Sequence, residues 1–365
     1  MLKKIGVFSI CMIWLTNVSA QTGDEKVIIM QQNDSTKTDT TVIPPDALER
    51  YNEGINAFEQ KMYKAAVSHY SAAIEIAPNF SKAYLNRGYA HIELKDGSSA
   101  EKDFIKATEL DKSFHQAFFE LGIMAEINGD MDKAIEYYGK AIKANNREPK
   151  YYYQRGLQRF NKMDYKGAKD DFTVAIGLKD NFAFAYNDRG SANRELGDYS
   201  AAIKDYQAAI VHNPKLILAF NNLGSAYRKK AEFDNAINAY TEAIKKDKTY
   251  YLAFNNRGYA KFEKGDYEGA IKDFQEAIKI KNDYAFAYNN MAGAYLKLKK
   301  YEDAIKAADK AIQFDPDYGY AYYNRGVAYE MLRNELRACE DWRKASELGV
   351  ESAGTYYQTG DCNNN

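Results

Sequence analysis

Four histidines (His69, His91, His115 and His212) and three cysteines (Cys11, Cys339 and Cys362) are the side chains with the widest chemical reach in this chain of 365 residues. None of the histidines stands in an H-E-x-x-H arrangement or another zinc-ligand spacing, and there is no C-x-x-C pair. No G-x-S-x-G nucleophile turn, phosphate-cradling glycine loop or dinucleotide fingerprint occurs either. Asp315-Pro316-Asp317-Tyr318-Gly319 begins like a calcium loop, but its glycine spacing and closing residue are wrong for one. The residues point away from an enzyme and call for no metal and no cofactor.

What is left is recognition. Asparagine recurs at Asn187, Asn221, Asn255 and Asn289, 34 residues apart, followed in turn by Asp188, Asn222, Asn256 and Asn290, with Ser191, Ser225, Arg194 and Arg228 close by. A carboxamide carries two donors and an acceptor, so a row of them can hold an extended polypeptide backbone without reading its sequence. Phe184, Leu218, Leu252, Phe286 and Tyr320 run beside this row and can receive apolar side chains. Earlier in the chain eleven of the twelve corresponding places are apolar, Glu126 being the exception. They read Tyr51, Leu85, Phe119 and Tyr153, then Ile55, Tyr89, Ile123 and Leu157, then Phe58, Ile92, Glu126 and Phe160. An exposed apolar strip of this kind marks a partner site. For both rows the alternative is that amides and rings at these places serve packing.

Side chains at a fixed interval need elements at a fixed interval. Gly54, Gly88, Gly122, Gly156, Gly190, Gly224, Gly258 and Gly326 are separated by 34 residues or a multiple of it, the missing member being Ala292. Twelve residues after each comes an alanine, from Ala66 to Ala338, and seven further on another, from Ala73 to Ala345. The frame runs without insertion through 47–80, 81–114, 115–148, 149–182, 183–216, 217–250, 251–284, 285–318 and 319–352. Within each unit the apolar spacing predicts two helices. Gly265-Asp266, like Gly197-Asp198 and Gly129-Asp130, reads as a left-handed helix stop followed by an N-cap. Rings at the fourth place (Tyr84, Phe118, Tyr288, Tyr322) and at the twenty-fourth (Tyr70, Phe104, Phe274, Trp342) fill the space beside the small residues.

This pattern resembles the tetratricopeptide repeat (TPR) family over residues 47–352. The resemblance implies an all-α fold: a right-handed superhelical solenoid of nine helix-turn-helix units, its first helices lining a concave groove. A single 34-residue pair cannot bury its apolar face alone, so neighbours must cover it. The groove then holds both rows of candidate binding residues. The carboxylate clamp that some members of the family use cannot be assigned to residues of this chain.

The ends read differently. Lys3 and Lys4, an apolar stretch from Ile5 to Leu15 and Val18-Ser19-Ala20 make residues 1–20 a secretory signal peptide, the alternative being an uncleaved anchor. The apolar stretch is too short to span a bilayer as a mature helix. Residues 21–46 form a polar linker closed by Pro44-Pro45. Its Asp34-Ser35-Thr36 and Asp39-Thr40-Thr41 resemble O-glycan acceptor triplets of secreted Bacteroidetes proteins. Residues 353–365 supply a capping helix and tail. Cys339 and Cys362, the only cysteines after cleavage, are expected to pair in an exported chain, the alternative being two unrelated thiols. A net charge of −1 argues against nucleic acid. The expectation is a periplasmic scaffold binding proteins or extended peptides. A permanently assembled envelope subunit and a self-associating chain are the alternatives.

Overall fold

The structure, a computed structural model, describes residues 43–359 and 362. The expected leader and most of the linker lie outside the described residues. Among the described residues the fold is all-helical, without a strand. The chain divides into two compact units, 1–180 and 181–365. The first contains α1 (Pro45–Glu59), α2 (Tyr63–Ile76), α3 (Ser81–Glu93), α4 (Gly97–Leu110), α5 (His115–Ile127), α6 (Met131–Ala144), α7 (Pro149–Asn161) and α8 (Tyr165–Leu178). The second contains α9 (Ala183–Glu195), α10 (Tyr199–His212), α11 (Ile217–Lys229), α12 (Phe233–Lys246), α13 (Tyr251–Lys264) and α14 (Tyr267–Ile280), then α15 (Ala285–Lys297), α16 (Tyr301–Phe314), α17 (Gly319–Met331), α18 (Glu335–Glu347) and α19 (Glu351–Thr359). In each unit consecutive helices pack as hairpins, and each hairpin packs on the next. Each unit is a helical-repeat solenoid.

The glycine series is a steric device. A Cβ on Gly54 would lie 2.5 Å from the Tyr70 ring, on Gly88 2.7 Å from Phe104, and on Gly258 2.8 Å from Phe274. The ring of the second helix therefore lies flat on the backbone of the first, and all three rings are fully buried. The eighth repeat departs from the rule at both positions together: Ala292 replaces the glycine and Ala308 the ring, in one buried cluster.

Each hairpin turn contains one left-handed residue. Gly129, Gly197 and Gly265 fill that position at φ 76°, 83° and 94°, as their sequence predicts. In the other six repeats it is Lys61, Lys95, Met163, Ala231, Lys299 or Arg333, near φ 60°. Asp130, Asp198 and Asp266 then cap the second helices, accepting from the backbone N–H three residues on at 3.1, 2.9 and 2.9 Å. At Asp130 that bond holds the exposed carboxyl below its ordinary range.

An unexpected charge pairing crosses each of five hairpins. Arg87, Arg155, Arg189, Arg257 and Arg325 each donate to both oxygens of Asp103, Asp171, Asp205, Asp273 and Asp341, sixteen residues later. All five aspartates are buried. The seventh and twenty-third places change together. The third, sixth and eighth repeats hold Leu121 with Tyr137, Leu223 with Ala239 and Met291 with Ala307, and the first holds Glu53 with His69 at 3.0 Å.

At the start, α1 begins at Pro45, inside the expected linker, because proline suits the first helical turn, where its missing N–H has no partner to lose. At the other end α18 stops at Glu347, Gly349 turns at φ 89° and α19 follows from Glu351. Tyr356 lays its ring 5.2 Å from Trp342 and 5.9 Å from Tyr323. Cys339 and Cys362 are disulfide-bonded, with Cα atoms 5.4 Å apart.

Candidate functional site

In the second unit the paired amides form a ladder along the stack. Asn222 Nδ2 donates to Asn187 Oδ1 at 3.0 Å, Asn256 to Asn221 at 3.0 Å, Asn290 to Asn255 at 3.0 Å and Asn324 to Asn289 at 2.8 Å. The donor is always at the sixth place of one repeat and the acceptor at the fifth place of the repeat before. First helices stacked side by side bring these places together, and each buried carbonyl oxygen has to be satisfied.

The ladder corrects part of the sequence reading. Asn187, Asn255 and Asn289 do not line an open groove: they are 4%, 7% and 7% exposed. Their Nδ2 groups are also engaged, Asn187 with Asp188 at 2.9 Å and Asn289 with the Tyr318 hydroxyl at 3.2 Å. The fifth place is an inter-repeat contact, so packing claims it. Asn221 is half-buried, as are Asn222, Asn256, Asn290 and Asn324 at the donor end of each rung. Arg194 and Arg228 are also less free than their spacing implies. Arg194 is bonded to Glu195 at 2.9 Å, and Arg228 bridges to Glu263 of the next repeat at 2.9 Å and lies over the Tyr259 ring.

Beside the ladder the second-place side chains join a longer aromatic ledge. Ring centroids run Tyr251–Tyr284 at 4.9 Å, Tyr284–Phe286 at 5.7 Å, Phe286–Tyr318 at 4.9 Å and Tyr318–Tyr320 at 6.3 Å. Phe286 and Tyr320 are its exposed members. Burial pushes the Tyr284 hydroxyl up to about 12, so it stays a neutral donor at any physiological pH.

In the first unit the apolar strip is largely core. Tyr51, Leu85, Phe119 and Tyr153 are buried between repeats, as are Ile55, Tyr89 and Phe58, for the same reason that the fifth-place amides are. The Tyr51 hydroxyl takes the bond from Asn86 Nδ2, at 2.8 Å, that a fifth-place amide takes elsewhere. Of the expected partner residues here, only Ile123 and Leu157 keep part of their surface, beside Ile92, Phe160 and Glu126.

Polarity at the twelfth place follows the ring beneath it from the second repeat to the seventh, whereas the first sets Phe58 over Tyr70. Where that ring is tyrosine, its buried hydroxyl needs a partner. Tyr138 donates to Glu126 at 2.8 Å, and the Tyr240 hydroxyl is met by Arg228 and Ser225. Tyr206 is 3.2 Å from Ser191. Where the ring is phenylalanine, the twelfth residue is Ile92, Phe160 or Phe262. Burial raises the Glu126 carboxyl above its ordinary range, against the hydrogen bonds from Tyr138 and Gln158.

Among the described residues no three His, Cys, Asp or Glu side chains gather as metal ligands, and no helix is long and apolar enough to cross a membrane.

No curated protein matches the chain. Family models described as TPR repeat and tetratricopeptide repeat match residues 190–231 and 258–299, 285–318, 85–149 and 219–249. Among solved structures, a tetratricopeptide repeat protein from Parabacteroides merdae is similar with a TM-score of 0.56 at 19% identity, over 67% of this chain and 97% of that one. The C-terminal part of a TPR repeat-containing protein from Cytophaga hutchinsonii gives 0.53 at 20%, over 65% and 98%. At these identities the likeness is one of fold.

Proposed function

The chain belongs to the tetratricopeptide repeat family, and from that premise we propose that it is a non-enzymatic scaffold that holds other polypeptides against its first helices, exported and at work in the periplasm or cell envelope. The observation that carries the binding mode is the row of sixth-place amides. Each has spent one N–H on the rung behind it, which fixes its orientation. Asn222 and Asn290 keep a carbonyl oxygen and a second N–H, Asn256 Oδ1 also accepts from Asn255 at 3.5 Å with one lone pair left, and Asn324 Nδ2 also reaches the Asn289 backbone carbonyl at 3.5 Å. Four oriented amides at one repeat spacing suit the alternating donors and acceptors of an extended backbone, and Phe286 and Tyr320 beside them suit its apolar side chains. The amino-terminal leader pattern and the Cys339–Cys362 bond support export, since such bonds persist in oxidising compartments.

Calorimetric titration with an unstructured Ser/Thr/Leu peptide tests this reading. Asn256→Ala combined with Asn290→Ala removes hydrogen bonds worth roughly 0.5–1.5 kcal/mol each. Affinity should fall on the order of tenfold, with the helical circular dichroism spectrum kept. Equal affinity would take the amides out of the binding site.

A further inference from the structure

The two units offer a partner different charge, mixed in the second and purely acidic in the first, and the first unit's face is the more selective. At the sixth, ninth, twelfth and thirteenth places of the first four repeats stands no Lys or Arg, while Glu59, Glu93, Glu120 and Glu126 all do. In the second unit the same places mix Arg194, Arg228, Lys229 and Lys297 with Asp188, Glu195, Glu263 and Glu330.

The centre of this acidic face is apolar. On α5, Ile123 and Ile127 sit one turn apart with Glu126 between them, and Ile127 is 67% exposed. On α7, Leu157 and Phe160 stand beside Gln158, the residue that hydrogen-bonds Glu126. Gln154, one turn before Gln158 on that face, holds its Oε1 out of solvent with no hydrogen-bond partner. Two acceptors, one of them a carboxylate, thus lie in an otherwise apolar floor.

The cations nearby are committed elsewhere. Arg155 and Arg159 both bond Asp171, Lys162 pairs with Asp132, and Lys150 lies over the Phe119 and Tyr151 rings at the second-place edge.

We propose that this face of the first unit docks an amphipathic helix of a partner protein, with one Lys or Arg set among large apolar side chains and directed at Glu126 and Gln154. The cation follows from charge: a partly buried carboxylate and an orphaned acceptor are satisfied together by an ammonium or guanidinium, which only donates. The helix follows from backbone accounting. An extended segment would bring N–H and C=O groups onto a floor whose central side chains are Ile123, Ile127, Leu157 and Phe160, and each buried unpaired group is costly. A helix satisfies those groups internally and presents apolar anchors at i, i+3, i+4 and i+7. The inference rests on the scaffold reading above but not on the amide ladder, which serves the other unit.

The test uses three fluorescent 18-residue helical peptides, Leu/Lys, Leu/Gln and Leu/Glu, titrated by anisotropy against the full chain at about 0.15 M salt, where the Debye length is about 8 Å. The Leu/Lys peptide should bind at least tenfold more tightly than Leu/Gln, and Leu/Glu more weakly still. Glu126→Gln keeps an acceptor for Tyr138 and should reduce the Lys-over-Gln preference to within twofold. Ile127→Asp, at a side chain already exposed, should weaken both peptides together. Equal binding of the Lys and Glu peptides, an unchanged preference in Glu126→Gln, or no binding of any helix would overturn the proposal. The unstructured Ser/Thr/Leu peptide, titrated in parallel, reports separately on the ladder, so the two readings fail independently.

Discussion

Ala292 and Ala308 share one buried cluster at the place where the eight other repeats set a glycine against an aromatic ring. The pairing is steric: a ring lying 2.4–2.9 Å from where a Cβ would stand leaves no room for that Cβ. Restoring the ring alone, as Ala308→Phe, should cost about 1–3 kcal/mol by overpacking. Adding Ala292→Gly should recover most of that loss. Urea denaturation of the two variants measures it, and a single variant as stable as the wild type would show that the eighth hairpin is held apart by something else.

Arg325 and Asp341 test the second coupled pair. Asp341 is buried, and Arg325 meets both its oxygens at 2.8 and 2.7 Å. Arg325→Leu should destabilise by about 3–5 kcal/mol, because it leaves the carboxylate buried and unpaired. Arg325→Leu with Asp341→Ala copies the sixth repeat, which holds Leu223 and Ala239, and should be near neutral by comparison. Thermal melts distinguish the two outcomes.

Reduction of the Cys339–Cys362 bond should act locally. The bond closes a separation of 23 residues, worth about 3 kcal/mol in the chain-entropy model. Repeat stacks distribute stability by neighbour contacts, so the loss falls first on the end. Hydrogen exchange should show residues 351–359 losing protection on reduction while residues 183–314 keep theirs. Uniform loss along the second unit would contradict a local staple.

Much of this was legible in the sequence, because a 34-residue frame without insertions fixes which places repeat. The hairpins, the Asp130, Asp198 and Asp266 caps and the glycine–ring contact all follow from local rules that act within one repeat. The exposure of the fifth place did not follow. Whether Asn255 or Tyr153 faces a partner or the next repeat depends on how hairpins stack, and no spacing within one repeat encodes that. The Arg–Asp pairs did leave a signal. Comparing the seventh and twenty-third places across the nine repeats shows them changing together. The twelfth place carried a similar signal, since Glu126 and Arg228 answer to Tyr138 and Tyr240.

The central claim is that the sixth-place amide meets the partner while the fifth-place amide only positions it. Asn290 and Asn255 separate these roles, because either substitution breaks the same 3.0 Å rung but only one removes the half-exposed amide. Calorimetric titration of the unstructured peptide against Asn290→Ala and Asn255→Ala, with thermal melts to match their stability, is the direct measurement. The account predicts an affinity loss of about threefold to tenfold for Asn290→Ala and a clearly smaller one for Asn255→Ala, since a lost hydrogen bond is worth roughly 0.5–1.5 kcal/mol. Equal losses, or the larger loss at Asn255, would contradict it.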